Sequence, residues 1–187
     1  MSLFEFIMVL VSIIIGMSVT ELLAGLADTI TRKNSRTFSW IHVLLSIGLL
    51  IASVQIWWEM WDFSSITEWS FLNLLLMLLP PIFLYLIARI INPGREFSGS
   101  LDDYYFLTAR RIWVLIGLAV IIGNSFRTLI NEESKLFIVD NLSAIPILAI
   151  CLTLAISKKK IIHQLFMILI IVIILLDVLL INYLISN

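Results

Sequence analysis

Residues Leu3–Ala27 read LFEFIMVLVSIIIGMSVTELLAGLA, an apolar run broken only by small side chains and a few polar ones. A hydrocarbon core about 30 Å thick is crossed by roughly 20 helical residues, so this run predicts a membrane-spanning helix. A cleaved secretion signal would need a basic start and a small-residue cleavage site. No Lys or Arg precedes Leu3 and the run contains Glu21, so we expect the helix to be retained.

The composition of the whole chain points to the same environment. The 187 residues are 61% hydrophobic and only 13% charged, with a mean hydropathy of +1.09. A soluble domain is about half apolar and about a quarter charged, and a small domain cannot bury such an apolar excess in one core. The formal net charge of −1 gives no reason to expect a nucleic-acid partner. The single cysteine, Cys151, excludes an internal disulfide.

Six stretches of the chain are long and apolar enough to cross a bilayer. They must be helical, because lipid offers no hydrogen-bond partner to an open backbone. The predicted spans are Leu3–Ala27, Trp40–Trp61, Glu68–Ile91, Tyr105–Leu129, Phe137–Ile156 and Ile161–Ser186. Ser65 with Glu68, and Ser100 with Asp103, have the spacing of capping boxes before the third and fourth spans. The sequence therefore predicts an all-α polytopic bundle in which residues 1–187 form one transmembrane domain.

The basic residues predict how the bundle is oriented. If successive spans alternate in direction, most of these residues fall at one end, which we call the basic end. They are Arg32, Lys33, Arg36, Arg89, Arg95, Arg110, Arg111, Lys158, Lys159 and Lys160. Only Arg127 and Lys135 fall at the opposite end. We therefore expect the basic end to face the cytoplasm, both termini to face away from it, and the chain to be a multi-pass protein of a bacterial inner membrane.

Small residues recur every four positions along the first span, at Ser12, Gly16, Thr20 and Ala24, which we call the small-residue seam. The hydrophobic effect does not drive helices together inside lipid, so small residues that permit close backbone approach mark helix contacts. We expect the seam to pack against another helix, within the chain or between chains. The lining of a pore or substrate pathway is the alternative.

Polar side chains at membrane depth are costly, so each one is a candidate site. The candidates fall into two layers with an apolar belt between them. The layer at the opposite end contains Gln55, Glu59, Asn124, Arg127 and Asp177. Asp177 interrupts an aliphatic run at a depth similar to that of Arg127, so we expect a charge pair, either structural or part of an ion pathway.

The layer at the basic end contains Glu21, at a predicted depth near His42 and Arg110-Arg111. A salt bridge is one interpretation of Glu21, and a proton relay with His42 is the other. We expect no cofactor or metal. His42 and His163 lie at similar predicted depth, as haem ligands must, but no attachment motif accompanies them. Metal-site spacing, a glycine-rich phosphate loop and a nucleophile elbow are also absent from the sequence.

Two segments resemble a group of small bacterial polytopic membrane proteins. They are Ser12–Gly25, which begins SIIIG and ends TELLAG, and Gln55–Trp61, which reads QIWWEMW. The resemblance covers the N-terminal third of the chain and implies no known activity. The group often has Gln at the position of Glu21, so the resemblance does not imply that a carboxylate is needed there.

Three classes of function are compatible with these patterns. An oligomeric ion channel or small transporter is favoured by the two polar layers, by Pro80-Pro81 in the third span, and by a layout that permits inverted halves. A non-catalytic subunit that acts as a sensor, anchor or effector through a partner protein is the alternative. A redox or lipid-modifying enzyme is motivated only by the histidines and buried carboxylates, so catalysis is not the favoured expectation. The expected partners are the lipid bilayer and further copies of the chain.

Overall fold

The computed structural model describes residues 2–31, 38–66, 68–94, 97–130 and 144–185, and the side chains of all these except 129–130 and 174–185. Its helices are α1 (Leu3–Thr31), α2 (Trp40–Glu59), α3 (Phe71–Ile91), α4 (Leu101–Ile130), α5 (Ala144–Ile156) and α6 (Lys160–Ile185). A short 3-10 helix, Met60–Ser65, extends α2. The predicted all-α bundle is confirmed.

Within the residues that the structure describes, four helical segments have the length and hydropathy of membrane spans, and they match the first four predicted spans. They are Leu3–Thr31, Trp40–Ser65, Phe71–Ile91 and Leu101–Thr128. The chain is therefore a membrane protein. Of the predicted fifth span the structure describes Ala144–Ile156, and in the sixth it describes side chains as far as Ile173. That these two helices also cross the membrane stays a prediction.

Serine residues cap the starts of three helices. The hydroxyl groups of Ser39, Ser70 and Ser100 each accept a hydrogen bond from the backbone N–H three residues later. Such a bond satisfies one of the unpaired donors of a helical first turn. The cap predicted at Ser100 is confirmed, whereas the box predicted from Ser65 and Glu68 is wrong, because Ser70 caps α3.

The Pro80-Pro81 pair does not end α3, which continues from Phe71 to Ile91. A proline removes one backbone hydrogen bond from a helix, but neighbouring helices can support the backbone around it. Gly123 of α4 faces the Pro80 ring across the contact between the two helices. The prolines therefore lie within a continuous helix that packs against α4.

Side-chain contacts show that α1, α2 and α3 alternate in direction. Phe4, near the start of α1, packs against Trp61 after α2 and against Trp69 before α3. Near the other end of α1, Glu21 contacts Arg89 near the end of α3. Tyr104 near the start of α4 bonds to Ile90 near the end of α3, and Lys160 at the start of α6 pairs with Asp102 of α4. The described basic residues other than Arg127 therefore lie at one end of the bundle, as the predicted alternation requires.

Two apolar clusters fill the described interior, one towards each end. The cluster at the basic end includes Leu22, Leu45, Ile87 and Leu154, which come from four different helices. The cluster at the opposite end includes Phe4, Met8, Met77 and Phe126. In this arrangement α2 contacts α1, α3, α4 and α6. The interior of the bundle is therefore apolar towards both ends.

The Asn92 side chain, which follows α3, lies directly against the backbone of α1 at Gly25. The Asn92 side chain occupies the space beside this glycine, so that an added methyl group would overlap the amide. The same amide donates hydrogen bonds to the Glu21 carbonyl at 2.8 Å and to the Ala88 carbonyl at 3.1 Å. Asn92 is thereby held in the gap that the missing side chain of Gly25 leaves.

Candidate functional site

A chain of hydrogen bonds joins α4 to the start of α6 at the basic end. Trp113 Nε1 donates to Tyr105 Oη at 2.9 Å, and Tyr105 Oη lies 2.7 Å from His163 Nδ1. His163 Nε2 lies 2.9 Å from the Ser157 carbonyl, which can only accept, so Nε2 carries a proton. Tyr105 Oη accepts from Trp113 and shares its second hydrogen bond with Nδ1. Both nitrogens of the imidazole are therefore hydrogen-bonded.

This network accounts for one of the two histidines considered as haem ligands. His163 is fully buried and has both ring nitrogens in use, so binding iron would require breaking one of its hydrogen bonds. His42 is also buried, and its backbone carbonyl accepts from the Ser46 hydroxyl. Within the described residues, no group of three His, Cys, Asp or Glu side chains could hold a metal ion.

Tyr105 and Trp113 are absent from the candidates derived from the sequence. The hydrogen bond between Tyr105 and His163 joins residues 58 positions apart, and local spacing contains no signal of it. An aromatic residue near a predicted interface is ordinary in a membrane protein. The network could therefore be found only from the tertiary structure.

Glu21 is paired with α3. Its carboxylate accepts from Arg89 Nη1 at 3.0 Å, and its backbone carbonyl accepts from Asn92. This is a salt bridge, as one of the two sequence interpretations expected, although the partner is Arg89. The Arg89 side chain is mostly exposed, so the bridge lies at the edge of the bundle. A proton relay between Glu21 and His42 is not needed to explain the carboxylate.

At the opposite end, Arg127 of α4 pairs with Glu59 of α2. Arg127 Nη2 lies 2.6 Å from Glu59 Oε2, and the two side chains are 39% and 43% exposed. The sequence suggested Asp177 as the partner of Arg127. The Asp177 side chain lies outside the described residues, so that pairing stays a prediction, but Glu59 already supplies a counter-charge.

The remaining polar candidates at the opposite end lie close in sequence to this ion pair. Asn124, within one turn of Arg127, donates from Nδ2 to the Val120 carbonyl of its own helix. Gln55 is partly buried on α2, about one turn before Glu59. The fold therefore brings the candidates of the second and fourth spans to the same end of the bundle.

The small-residue seam is not covered by the described part of the chain. Its four residues are all exposed, and a Cβ atom added at Gly16 would meet nothing within 4 Å. The buried face of α1 instead carries residues such as Val11, Ile15 and Leu22. Ser12 accepts a hydrogen bond from Trp57 of α2, and the rest of the seam stays exposed in the described part of the chain. Contact with a second chain and the lining of a pore or substrate pathway both stay predictions.

A groove of about 440 Å³ lies beside the seam, between α1 and the region around the end of α2. Its lining includes Phe4, Met8, Trp57 and Trp61, together with Ser12 of the seam. Trp57 Nε1 donates to Ser12 Oγ at 2.9 Å across this surface. Because Ser12 belongs to both features, the groove and the seam form one continuous uncovered face of α1.

The described interior offers no polar route between the two ends of the bundle. The buried hydroxyls of Ser18, Ser46 and Ser53 donate to carbonyls one turn earlier in their own helices. The apolar clusters occupy the space around them. The two polar layers are therefore separated within a single chain, as far as its described residues extend.

Comparison with protein-family models, with curated proteins and with solved structures gives no match to this chain. The resemblance of residues 12–25 and 55–61 to small bacterial membrane proteins thus stays a sequence-based expectation. The functional argument therefore depends on the uncovered face of α1 and on the polar residues themselves.

Proposed function

We propose that this membrane protein acts as a homo-oligomeric channel or small transporter whose copies meet along α1. The observation that carries the proposal is the uncovered small-residue seam from Ser12 to Ala24. At 1.5 Å per residue this seam is about 18 Å long, which is more than half of a hydrocarbon core about 30 Å thick. Close backbone contact over such a length stabilises paired helices in lipid.

A second copy of the chain is the occupant that suits the seam. A two-fold contact places the same surface on both sides, and a row of small residues is complementary to itself. The buried face of α1 packs against its own chain through Val11, Ile15 and Leu22. One face of α1 can therefore pack within its own chain while the opposite face contacts a second copy.

We locate the solute pathway between copies, because the described interior of one chain is apolar. Along the exposed side of α1, Glu5, Ser12 and Thr20 carry polar atoms at successive depths. Polar side chains at membrane depth are typical of solute pathways and of helix contacts. An interface that includes this side of α1 would supply groups that a small ion or polar solute requires.

Cysteine cross-linking in native membranes tests the assembly. In a Cys151→Ser background, we expect oxidation of Gly16→Cys to give a disulfide-linked dimer. A disulfide requires Cα atoms within about 7 Å, so a high yield means that two copies of α1 are in contact. Leu107→Cys, at an exposed position of α4, is the matched control and is expected to cross-link far less. Equal yields at the two positions would contradict the proposed contact.

Flux of monovalent ions and small polar solutes into proteoliposomes tests the function. Gly16→Leu inserts a bulky side chain into the seam, and we expect it to abolish both the dimer and the flux. The variant should still fold, because space around Gly16 is open within its own chain. Wild-type dimers that carry no flux would contradict a channel or transporter.

A non-catalytic subunit that acts through a partner protein is the second candidate. It is supported by the hydroxyl groups of the seam, which already have partners. Thr20 donates to the Gly16 carbonyl at 2.8 Å, and Ser12 accepts from Trp57. Bonded hydroxyl groups suit a dry helix contact better than a wet pathway. A Gly16 cross-link without any flux would favour this candidate over the first.

A further inference from the structure

The exposed face of α4 carries two arginines within an apolar surface. Leu107 and Val114 are 71% and 46% exposed, and Leu118 and Ile121 continue the exposed face towards the opposite end. Arg110 and Arg111 lie between Leu107 and Val114 and are exposed as well. Residues three, four and seven apart share one side of a helix. The arginines therefore interrupt a surface that otherwise suits acyl chains.

Their depth makes this placement costly unless the charges have a partner. α4 has 30 residues and is about 45 Å long, roughly 15 Å more than the hydrocarbon core. Arg110 lies about two and a half turns into this helix, so its Cα is near or inside the edge of the core. An arginine at such a depth extends its side chain towards the headgroups.

Neither arginine has an acidic partner among the described residues. In the described part of the chain, the salt bridges join Arg89 to Glu21, Arg127 to Glu59, and Lys160 to Asp102. Arg110 and Arg111 belong to none of these pairs. Two positive charges thus stay uncompensated by the described chain, on a surface that faces lipid.

We propose that Arg110 and Arg111 together bind the phosphate of an anionic lipid headgroup. A guanidinium group can donate two parallel hydrogen bonds to phosphate oxygens, and its positive charge strengthens them. Adjacent residues on a helix project about 100° apart, so the two side chains flank the headgroup. Val114, Leu118 and Ile121, which lie on the core side of the arginines, contact its acyl chains.

The chemistry of the surrounding surface selects a lipid over a soluble phosphate. Exposed apolar side chains next to the arginines provide contacts that an acyl chain can use and a soluble phosphate cannot. The two uncompensated charges favour an anionic lipid over a zwitterionic one. This site is on α4 and is independent of the seam on α1, so it does not depend on the proposed oligomer.

Native mass spectrometry can count the retained lipid. The protein is reconstituted in vesicles of equal parts phosphatidylglycerol and phosphatidylcholine and then released into a non-ionic detergent. We expect wild-type protein to retain phosphatidylglycerol in preference to phosphatidylcholine. In Arg110→Gln/Arg111→Gln the retained phosphatidylglycerol should fall roughly tenfold or more, which corresponds to the loss of one charge-assisted hydrogen bond.

Lys158→Gln/Lys159→Gln is the matched control, because it removes two exposed charges from the same end of the bundle. It is expected to retain phosphatidylglycerol like the wild type. Equal losses in both double variants would overturn the proposal by showing a general attraction of charge. Unchanged retention of phosphatidylglycerol in the arginine variant would also overturn the proposal. Equal retention of phosphatidylglycerol and phosphatidylcholine by the wild type would overturn it too, and that test needs no variant.

Discussion

The two ends of the helix bundle use their polar side chains differently. At the basic end, Trp113, Tyr105 and His163 form a buried chain of hydrogen bonds that ends on a backbone carbonyl. At the opposite end, Arg127 and Glu59 form an ion pair that is about two-fifths exposed, next to exposed tryptophans. The basic end has a buried chain of hydrogen bonds in addition to its exposed salt bridges, whereas the ion pair of the opposite end is open to the surroundings.

This difference shows where polar groups are structural and where they are available to a partner. A buried polar group with all partners satisfied rigidifies the fold, and removing one partner is costly. An exposed ion pair contributes little to stability. The groups that remain available lie on outer faces, along α1 and on α4. We therefore expect substitutions in the interior of the bundle to affect mainly stability, and substitutions on its exterior to affect mainly function.

The largest expected loss of stability is at Gly25, because the Asn92 side chain occupies the space that a side chain at position 25 would need. Gly25→Ala should displace Asn92 and break its bond to the Glu21 carbonyl, at a cost of about 3 kcal/mol. Gly16→Ala on the same helix is the matched control, because its added methyl group meets no atom within 4 Å. The Tm of both variants is measured in detergent by heating the protein and using gel filtration to quantify the fraction that remains folded. Similar losses of Tm in the two variants would contradict the statement that Gly25 lies on a covered face of α1 and Gly16 on an uncovered one.

The next effect is expected from Tyr105→Phe, which leaves the indole N–H of Trp113 and Nδ1 of His163 without their partner. We expect a loss of about 2 kcal/mol, since each unsatisfied buried group is costly. Tyr104→Phe removes a partly buried hydroxyl that donates to the Ile90 carbonyl at 3.0 Å and to the Asn92 carbonyl at 3.4 Å. Because one hydrogen is shared between these two acceptors, the change should cost about half as much or less. The same unfolding assay compares them. If Tyr104→Phe were the more damaging change, the buried network would not be what closes the basic end.

The smallest effect is expected at the exposed ion pair of the opposite end. Glu59→Gln should change stability by about 0.5 kcal/mol, because both partners are more than a third exposed and the pair is screened. A double-mutant cycle with Arg127→Gln measures the coupling between the two side chains. The same cycle with Asp177→Asn tests the pairing predicted from sequence. Stronger coupling of Arg127 to Asp177 than to Glu59 would show that Glu59 is the secondary partner.

Helix positions were predictable where a local signal exists. The start of α2 at Trp40 and the end of α3 at Ile91 agree with the sequence prediction. α1 continues beyond the predicted Ala27 to Thr31, and α4 begins before the predicted Tyr105, at Leu101. Hydropathy marks the part of a helix that lies in lipid, whereas caps and polar end turns set where the helix ends.

The depth of the polar residues was more predictable than their partners. Glu21 and Arg89 were expected in one layer, and Glu59 and Arg127 in the other. Each salt bridge joins residues 68 positions apart, on helices that are not consecutive in the chain. Depth follows from counting residues along a span at 1.5 Å each. Partner choice also depends on which helices are neighbours, and residue counting contains no information about that.

The sequence by itself determined that the chain is a helical membrane protein, because hydropathy and span length depend on local residue types. Only the tertiary structure decided that the small-residue seam faces outwards while Val11, Ile15 and Leu22 face the core. In a soluble helix the apolar stripe identifies the buried face. A helix in lipid is apolar on all sides, so its rotation is set by packing against neighbours, and the pattern along one span cannot specify it.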